Sequence, residues 1–493
     1  MPVRKRPGPS MNVSMMSKSA NQVLLSRAAQ LAAEFLDGLP NRPVGAMAPS
    51  EQLSLDLTAA MPEVGQDPLG ILEQQVAVFD SGLVASAGPR YFGHVISGAH
   101  PAALAMDWMT AAWDQNAVLY ATSPANAALE EVVGRWLIDL FGLGGDDRDI
   151  SFGFVSGCQM AHVTALLAAR HALLARQGWD VERRGLMGAP NLRVLVGADA
   201  HGTVATALQY IGLGRDRAIV IPSDDQGRMH VDHLRRVLDT SSDATIICAQ
   251  AGGVNTGAFD DFEAIADLAN GANAWLHIDG AFGLWAATST AHRHLTSGIA
   301  RADSWATDAH KWLNVPHDSG IVLMAHPAAH CAAMSVPDEA YLQRAGDSRR
   351  DPYQWVPEMS RRARVFAIQA ALLAFGRQGL AEMIDRCCRL ARLMRDRLQD
   401  CPGVSILNDV VLNQVLFAVQ PALGVSADAA DVFTDQIAAA IQAEGTCWLG
   451  ATTWRGRRAL RLSICNYRTS FSDIDQSAAA IRRVIGQQRN MYR

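Results

Sequence analysis

A lysine in an apolar setting is the residue of this sequence best suited to covalent chemistry. Lys311 lies in the segment Asp303–Asp318, directly before Trp312 and after a short apolar stretch. Apolar surroundings disfavour the charged ammonium, so we expect a lowered pKa and a neutral amine that can attack an aldehyde. A lysine beside a tryptophan is more often a surface cation–π pair. The segment alone therefore leaves both interpretations open.

An acid at the end of an apolar run supplies a second group. Asp279 ends the run Ala274–Asp279 and is followed by Gly280 and Ala281. A carboxylate at the tip of a buried strand is costly unless a cation meets it, and a protonated pyridine nitrogen is a suitable cation. A turn or a helix cap is the commoner role of such an aspartate. Ala281 favours a ligand, because its small side chain lets a flat ring lie against the backbone.

A histidine and the start of a helix complete the set. His201 follows an apolar run and opens a helical stretch, where it could stack on a planar ligand, although a cap is its more usual role. The segment Val155–Ala161 precedes another helical stretch, whose free N–H groups and positive dipole end would attract a phosphate. The residues at this helix start are Ser156, Gly157, Cys158 and Gln159. Together the four segments predict a site for a phosphorylated, flat aldehyde with a protonated ring nitrogen.

The elements that must position these residues alternate between short apolar runs and helical stretches over residues 150–325. The predicted strands are Leu192–Gly197, Ala218–Pro222, Ala244–Gln250, Ala274–Asp279 and Ile321–Ala325. This alternation is typical of an α/β protein whose mostly parallel sheet has helices on both faces. Such a sheet binds ligands beyond the carboxyl ends of its strands.

The pattern changes after Pro357, where long helical stretches precede a stop at Pro402 and Gly403. Alternation of apolar and polar residues over 460–465 then predicts a half-buried strand. We therefore predict a second, smaller α+β domain. The predicted organisation is a disordered tail at 1–20, an amphipathic helical segment at 21–92, a large domain at 93–365 and a small C-terminal domain at 366–493.

Composition restricts the class of protein. The 493 residues are 49% hydrophobic and 19% charged, and the net charge of −6 is of mixed sign, which argues against nucleic acid as a partner. No apolar run approaches the roughly 18–20 residues of a membrane span. The eight cysteines are scattered without a C-x-x-C pair, so neither a metal site nor a disulfide framework is predicted. The first residues do not resemble an export signal, and a cytoplasmic protein is expected.

The chemical segments occur in an order that resembles a known family. Phosphate loop, stacking histidine, strand-end D-G-A and H-K-W are similar to those of the group II pyridoxal-phosphate-dependent amino-acid decarboxylases, and the resemblance covers about residues 70–490. Further similar segments are Gly88–Val95, Ala112–Ala117, Val254–Asp260, Pro357–Arg364 and Arg461–Thr469. The resemblance implies a fold type I, transferase-like architecture with a mostly parallel seven-stranded sheet in the large domain.

The resemblance also implies roles for individual residues. Lys311 would form an imine with pyridoxal 5′-phosphate, Asp279 would pair with its ring nitrogen, and His201 would stack on the ring above Ala281. The remaining implied cofactor contacts are Ser156, Gly157, Cys158, Gln159, Thr256, Asp308 and His310. The implied substrate contacts are Arg90, Tyr91, Phe92, His94 and Trp113. Because the family builds part of this pocket from a neighbouring subunit, a homodimer is implied as well.

The implied reaction removes the α-carboxylate of an L-amino acid and leaves an amine and carbon dioxide. In the aromatic branch of the family a loop tyrosine donates the proton, but Pro352 occupies that position here and Tyr353 is one residue away. Tyr353 is therefore a candidate donor, and decarboxylation coupled to oxidative deamination, which gives an aldehyde, is an alternative. A fold type I aminotransferase that uses Arg461 or Arg468 for the carboxylate is another. The sequence does not identify the amino acid.

Overall fold

The apolar runs of the central region form one sheet in the computed structural model, which describes residues 18–57, 60–145, 148–335, 349–421 and 425–491. The strands of this sheet are β1 (Ser151–Val155), β2 (Leu192–Gly197), β3 (Ile219–Ile221), β4 (Ala244–Gln250), β5 (Trp275–Asp279), β6 (Ser304–Asp308) and β7 (Gly320–Met324). The seven strands lie in the order β1–β7–β6–β5–β4–β2–β3. The predicted seven-stranded, mostly parallel sheet is thus confirmed.

Strand direction brings the functional segments to one edge. Strands β2 to β6 pair in parallel, whereas β7 is antiparallel to both β1 and β6. The register places Gln250 of β4 opposite Asp279 of β5, and Asp279 opposite Ala306 of β6. The carboxyl ends of the central strands therefore meet beside the segments that follow them.

Helices bury both faces of the sheet. The α-helices of the described residues are α1 (Lys18–Gly38), α2 (Ser50–Leu57), α3 (Pro68–Asp80), α4 (Pro101–Trp113), α5 (Pro124–Leu140), α6 (Cys158–Ala175), α7 (Val181–Arg184), α8 (Gly202–Tyr210), α9 (Val231–Leu238), α10 (Phe262–Gly271), α11 (Pro327–Met334), α12 (Val365–Gln399), α13 (Ala427–Glu444) and α14 (Phe471–Met491). In β4, Ile247 and Ala249 belong to one hydrophobic cluster, whereas Ile246 and Cys248 belong to another. This alternation explains why the strands read as continuous apolar runs.

The five predicted strands agree with the structure to within one residue at each end. Strand β1 was not predicted, because Gly153 interrupts its apolar pattern and glycine weakens a strand. A Cβ atom at Gly153 would lie 2.5 Å from the carbonyl oxygen of Trp355, so the close approach of another backbone segment accounts for the glycine.

The C-terminal part of the chain forms a second sheet. Its strands are β8 (Val404–Ile406), β9 (Gln414–Val419), β10 (Gly450–Trp454) and β11 (Arg457–Ser463), all antiparallel in the order β10–β11–β9–β8. One hydrophobic cluster includes residues of both sheets, such as Leu276 and Phe417, together with Met394 of α12. The predicted boundary between residues 365 and 366 stays a prediction.

The N-terminal segment contains the helices α1, α2 and α3, whose described residues are not buried. Helix α1 starts at Lys18, so residues 18–20 of the predicted tail are helical, and residues 1–17 lie outside the described part of the chain. Helix α3 buries none of its described residues, although Ile71, Val76 and Phe79 give it an apolar face. Across the described ranges, no helix has the length and apolar character to traverse a lipid bilayer.

Candidate active site

The candidate site lies where β4, β5 and β6 end. It is a cavity with about 460 Å³ of free space, part of it open to solvent. The described residues that line it are His94, Val95, His201, Gln250, Gly252, Val254, Asp279, Ala281, Phe282, Lys311 and Arg461. A larger cleft at the amino ends of β4 and β5 lies where parallel sheets do not place ligands. The cavity at the carboxyl ends therefore carries the chemistry, with four of the predicted cofactor residues on its wall.

Lys311 follows β6 by three residues and faces its terminal carboxylate. Its Nζ lies 3.1 Å from Oδ2 of Asp308, and 21% of its side chain is exposed. Burial lowers the pKa of Lys311, but the carboxylates of Asp308 and Asp279 act against it and the net pKa is raised above the ordinary value. The predicted lowered pKa is therefore wrong. Burial is the largest single effect, but the acidic groups around the amine, Asp308 first among them, together outweigh it.

Asp279 lies at the carboxyl end of β5 and is 5% exposed. Burial raises its pKa, but His162, His201 and Lys311 lower it further, so the net pKa is well below the ordinary value and the carboxylate is ionised. Its Oδ1 accepts a hydrogen bond of 3.1 Å from the backbone N–H of Ala281. This is the charge state that a protonated ring nitrogen requires.

The predicted phosphate loop lies at the start of α6. Gly157 is the N-cap in an extended conformation, and as a glycine it has no side chain with which to cap the helix. The N–H of Cys158 donates to Oδ1 of Asp308 over 2.6 Å, so this amide is not available to a phosphate. A Cβ atom at Gly320 would lie 2.5 Å from Cα of Gly157, so a residue larger than glycine does not fit where β7 passes this loop. The other first-turn amides form an anion site of the kind that helix N-termini provide.

Of the other predicted cofactor residues, His201 and His310 lie at the cavity or beside the helix start, whereas Thr256 does not line the cavity. His201 is exposed and lines the cavity, and its Nδ1 lies 2.8 Å from Oγ1 of Thr203, so it also caps α8. His310 packs beside Gly157, and burial lowers its pKa to about 4, so it is neutral. Thr256 does not line the cavity, because its hydroxyl donates to the carbonyl of Gln226 over 2.7 Å.

Most predicted substrate residues lie away from the cavity. Arg90 pairs with Asp473 at 3.3 Å and donates to two backbone carbonyls. These contacts join the N-terminal segment to the C-terminal part of the chain. Tyr91 stacks on the ring of Trp448 at 5.0 Å, and Phe92 is buried in the core. Trp113 packs against Phe366 on the surface. Within this chain these four residues make structural contacts, and their role in binding substrate stays a prediction.

His94 is the predicted substrate residue that reaches the cavity. Its φ is +50° and that of Val95 is +58°, a left-handed conformation that is strained for a β-branched residue. Burial and the charge of Arg461 lower the pKa of His94, so its imidazole is neutral. The candidate proton donor Tyr353 packs instead with Val118 and Leu119, outside the cavity of its own subunit.

Sequence reasoning missed several residues of the site. Gln250 and Phe282 line the cavity, and His162 lies behind Asp279 with its Nε2 3.6 Å from Oδ2. Arg461 extends from β11 and donates to the carbonyl of Val254 over 2.7 Å. The sequence suggested Arg461 only for the aminotransferase alternative, although its place on the polar side of a half-buried strand was visible. His162 gave none, because its position on a buried helix face resembles that of a core histidine.

The side chains could hold either a cofactor or a metal ion, and the cofactor fits better. Cys158, His162 and Asp279 bring a thiol, an imidazole and a carboxylate within 4.8 Å of one another. Burial and two carboxylates raise the pKa of Cys158 well above its ordinary value, so the thiol stays protonated and is a poor metal ligand. The ionised Asp279, the amine of Lys311 and the exposed imidazole of His201 line one cavity, and the N-terminus of α6 lies nearby. These groups match the ring nitrogen, the aldehyde, the ring face and the phosphate of pyridoxal phosphate.

Known proteins of similar sequence are decarboxylases. Residues 49–420 match the family described as the pyridoxal-dependent decarboxylase conserved domain. The acidic amino acid decarboxylase GADL1 of Homo sapiens is 27% identical over 388 residues, which cover 75% of this chain and 70% of that protein. The aromatic-L-amino-acid decarboxylase of Bacillus atrophaeus is 25% identical over 480 residues, which cover 96% and 97% of the two chains.

Solved structures agree on the fold. The Oryza sativa TDC structure with PLP and tryptamine has a TM-score of 0.89 at 20% identity and covers 97% of this chain and 99% of that one. Mouse CSAD has a TM-score of 0.86 at 24% identity, with 95% and 99% covered. The predicted fold type I architecture, the pyridoxal-phosphate cofactor and amino-acid decarboxylation are thereby confirmed, and the alternative reactions are not favoured. The chain belongs to the pyridoxal-dependent decarboxylase family.

Proposed function

We propose that this chain, as a homodimer, decarboxylates an L-amino acid with an acidic side chain and holds its cofactor through Lys311 and Asp279. The observation that carries the proposal is the position of Arg461 in the same cavity as these two residues. When bound, pyridoxal phosphate supplies an electron sink for the electron pair of the broken carbon–carboxylate bond.

The cofactor residues have separate tasks. Lys311 would hold the aldehyde carbon through Nζ, and Asp279 would keep the ring nitrogen protonated. His201 and Ala281 would enclose the ring from its two faces, while the N-terminus of α6, with neutral His310 beside it, would receive the phosphate. Because the pKa of Lys311 is raised, its amine is protonated once it is free. We therefore assign the proton that is delivered to the substrate Cα to Nζ of Lys311.

The charge of Arg461 indicates the substrate class. A cation that bound the departing α-carboxylate would stabilise the ground state, in which that group is charged, more than the transition state. A cation on a side-chain acid keeps its partner throughout the reaction. The neutral imidazole of His94 lies close enough to Arg461 to share this role, and Phe282 is the one phenyl ring among the described lining residues. An acidic side chain therefore suits the cavity better than an aromatic one.

The apolar face of the N-terminal helices supports the homodimer. Ile71 and Phe79 of α3 are 40% and 43% exposed, and Trp108 of α4 is 43% exposed. A short helix that buries none of its residues is marginal alone and gains stability only from packing. A second copy of the chain is the partner that a symmetric interface would bring to this face. The eight free cysteines support the cytoplasm as the proposed compartment, because thiols stay reduced there.

The test is a panel of L-amino acids read by release of carbon dioxide from the purified enzyme with added pyridoxal 5′-phosphate. We expect glutamate, aspartate or cysteine sulfinate to be decarboxylated faster than tryptophan, tyrosine or phenylalanine. The variant Arg461→Gln should raise KM for the acidic substrate, whereas Arg458→Gln, on the exposed end of β11, should not. Faster reaction of the aromatic substrates would refute the side-chain assignment. Peroxide formed in step with carbon dioxide would replace simple decarboxylation by the oxidative reaction.

A further inference from the structure

A row of buried polar side chains extends from Asp279 away from the cavity. His162 of α6 is fully buried, with its Nε2 3.6 Å from Oδ2 of Asp279 and its Nδ1 2.9 Å from Nε2 of His277. The row continues from Nδ1 of His277 to Oγ of Ser304 over 2.8 Å. It ends at Trp275, whose indole N–H donates to the same Oγ over 2.9 Å.

The protons of this row can be placed by elimination. Trp275 can only donate, so Ser304 must accept from it. Burial lowers the pKa of His277 to about 3, so its ring is neutral and carries one N–H. When the Ser304 hydroxyl donates to Nδ1 of His277, the N–H at Nε2 donates to His162. A neutral His162 then carries its own proton on Nε2, which faces Asp279.

The opposite direction of donation leads to the same end. When Nδ1–H of His277 donates to Ser304, its Nε2 must accept from Nδ1–H of His162. A neutral His162 would then present a lone pair to the ionised carboxylate of Asp279. The described donor near that lone pair is the thiol of Cys158, 3.5 Å from Nε2, and a thiol is too weak a donor to offset this buried repulsion. A protonated imidazole avoids it by carrying a second N–H on Nε2. Both directions therefore place an N–H of His162 towards Asp279.

A buried histidine pair is often only a satisfied part of the core, but this row is asymmetric. Trp275 at one end is enclosed by apolar residues, whereas Asp279 at the other end lines the cavity. His162 and the cavity thus contact the same carboxylate from opposite sides. An imidazole N–H at 3.6 Å behind the carboxylate restricts its orientation and favours its ionised form.

We propose that His162 is a positioning residue that, with its tautomer set by His277, Ser304 and Trp275, holds Asp279 ionised and oriented and so keeps the ring nitrogen of the bound cofactor protonated. The inference depends on the proposed role of Asp279 in cofactor binding. It does not depend on the substrate or on the reaction that follows.

The experiment measures cofactor binding without substrate. Apoenzyme is titrated with pyridoxal 5′-phosphate to obtain Kd, and the cofactor labelled with ¹⁵N in the ring reports protonation through its chemical shift. The variant His162→Phe removes both nitrogens at similar volume and should weaken binding about tenfold or more, since it removes the polar N–H that faces the charged carboxylate. The ring nitrogen should also shift towards the neutral form.

A matched control and two milder variants separate this role from stability. His330 is also fully buried and lies 2.8 Å from both Ser151 Oγ and the Trp355 carbonyl, so His330→Phe should destabilise the chain without changing Kd or the ¹⁵N shift. In the event that His162→Phe does not fold, His162→Gln, which can place an N–H near the position of Nε2, should bind the cofactor better than His162→Asn. Equal Kd values and equal ¹⁵N shifts for wild type and His162→Phe, or for the Gln and Asn variants, would overturn the proposal.

The outcomes also separate this inference from the proposed function. A chain that binds the cofactor with a protonated ring nitrogen but decarboxylates no acidic substrate would overturn the substrate assignment and leave the role of His162 standing. Loss of cofactor binding in Asp279→Ala together with unchanged binding in His162→Phe would overturn the role of His162 and leave the substrate assignment standing.

Discussion

Replacing Asp308 by asparagine should lower the pKa of Lys311 and let the cofactor bind faster near neutral pH. Asparagine keeps an oxygen for the N–H of Cys158, which donates to Asp308 Oδ1 over 2.6 Å, so the start of α6 should be preserved. What is lost is the negative charge 3.1 Å from Nζ of Lys311. Without it, the more distant carboxylate of Asp279 is left to oppose burial, and burial favours the neutral form.

The size of the effect follows from this distance. Two unit charges 3.1 Å apart interact by about 1.3 kcal/mol in water and by about 5 kcal/mol at an effective dielectric constant of 20. Removing this attraction should lower the pKa of Lys311, and at 1.36 kcal/mol per factor of ten the fraction of neutral amine at a given pH should rise about tenfold on the lower figure. The neutral amine is the form that attacks an aldehyde, so the pH dependence of attack should move to lower pH.

The assay follows the visible absorbance that develops when pyridoxal 5′-phosphate is added to apoenzyme, as a function of pH. Wild type should reach its half-maximal rate at a higher pH than Asp308→Asn. The control is Asp318→Asn, which removes a half-exposed carboxylate that pairs with Arg364 and not with Lys311. Coincident rate profiles for wild type and Asp308→Asn, or an equal displacement in the control, would show that Asp308 does not set the charge of the lysine.

Three further predictions test other parts of the structure. The buried guanidinium of Arg361 lies 2.6 Å from the carboxylate of Glu130. Glu130→Gln leaves this cation without its charge partner and should destabilise the chain by about 3–5 kcal/mol in denaturant unfolding. Gly320→Ala should weaken cofactor binding in a Kd titration, because its Cβ would lie 2.5 Å from the backbone of Gly157 and displace the start of α6. Asp260, whose pKa burial raises to about 6, should contribute a loss of stability as pH rises. Its folded pKa exceeds the unfolded value, so the loss should begin near pH 4, be complete slightly above pH 6 and total about 3 kcal/mol relative to Asp260→Asn in urea unfolding at each pH.

Each of the three predictions has a control variant or an outcome that would contradict it. Asp475→Asn removes an exposed partner of Arg397 and should cost less than about 1 kcal/mol, so a similar cost for Glu130→Gln would contradict the account of the buried pair. Gly271→Ala places a Cβ in open space and should leave cofactor affinity unchanged. A constant difference in stability between wild type and Asp260→Asn from pH 4 to pH 7 would mean that the acid does not titrate as described.

The sequence was sufficient where chemistry is local. Asp279, Ala281 and Lys311 each follow the end of a strand closely, so a correct strand prediction and the direction of a parallel sheet were enough to bring them together. Arg90 shows where this reasoning fails. Its partner Asp473 is 383 residues away, and no local pattern reveals that the guanidinium is already paired.

The prediction of the charge state of Lys311 failed for a related reason. The apolar neighbours of Lys311 are visible in the sequence, and their effect has the predicted sign. The opposing effect of Asp308 depends on a distance of 3.1 Å, which only the geometry of the turn after β6 provides. The orientation of His162 towards Asp279 likewise depends on how α6 packs on the sheet.

In the proposed homodimer, the uncovered face of α3 would make the stability of this chain depend on its own concentration. A fold whose first helices gain burial from another copy is stabilised by mass action, so its melting temperature should then rise with protein concentration. Newly synthesised chains would expose this face until they meet, and scarce copies would be degraded sooner than plentiful ones. The lifetime of the enzyme in a cell would then depend on how much of it is made.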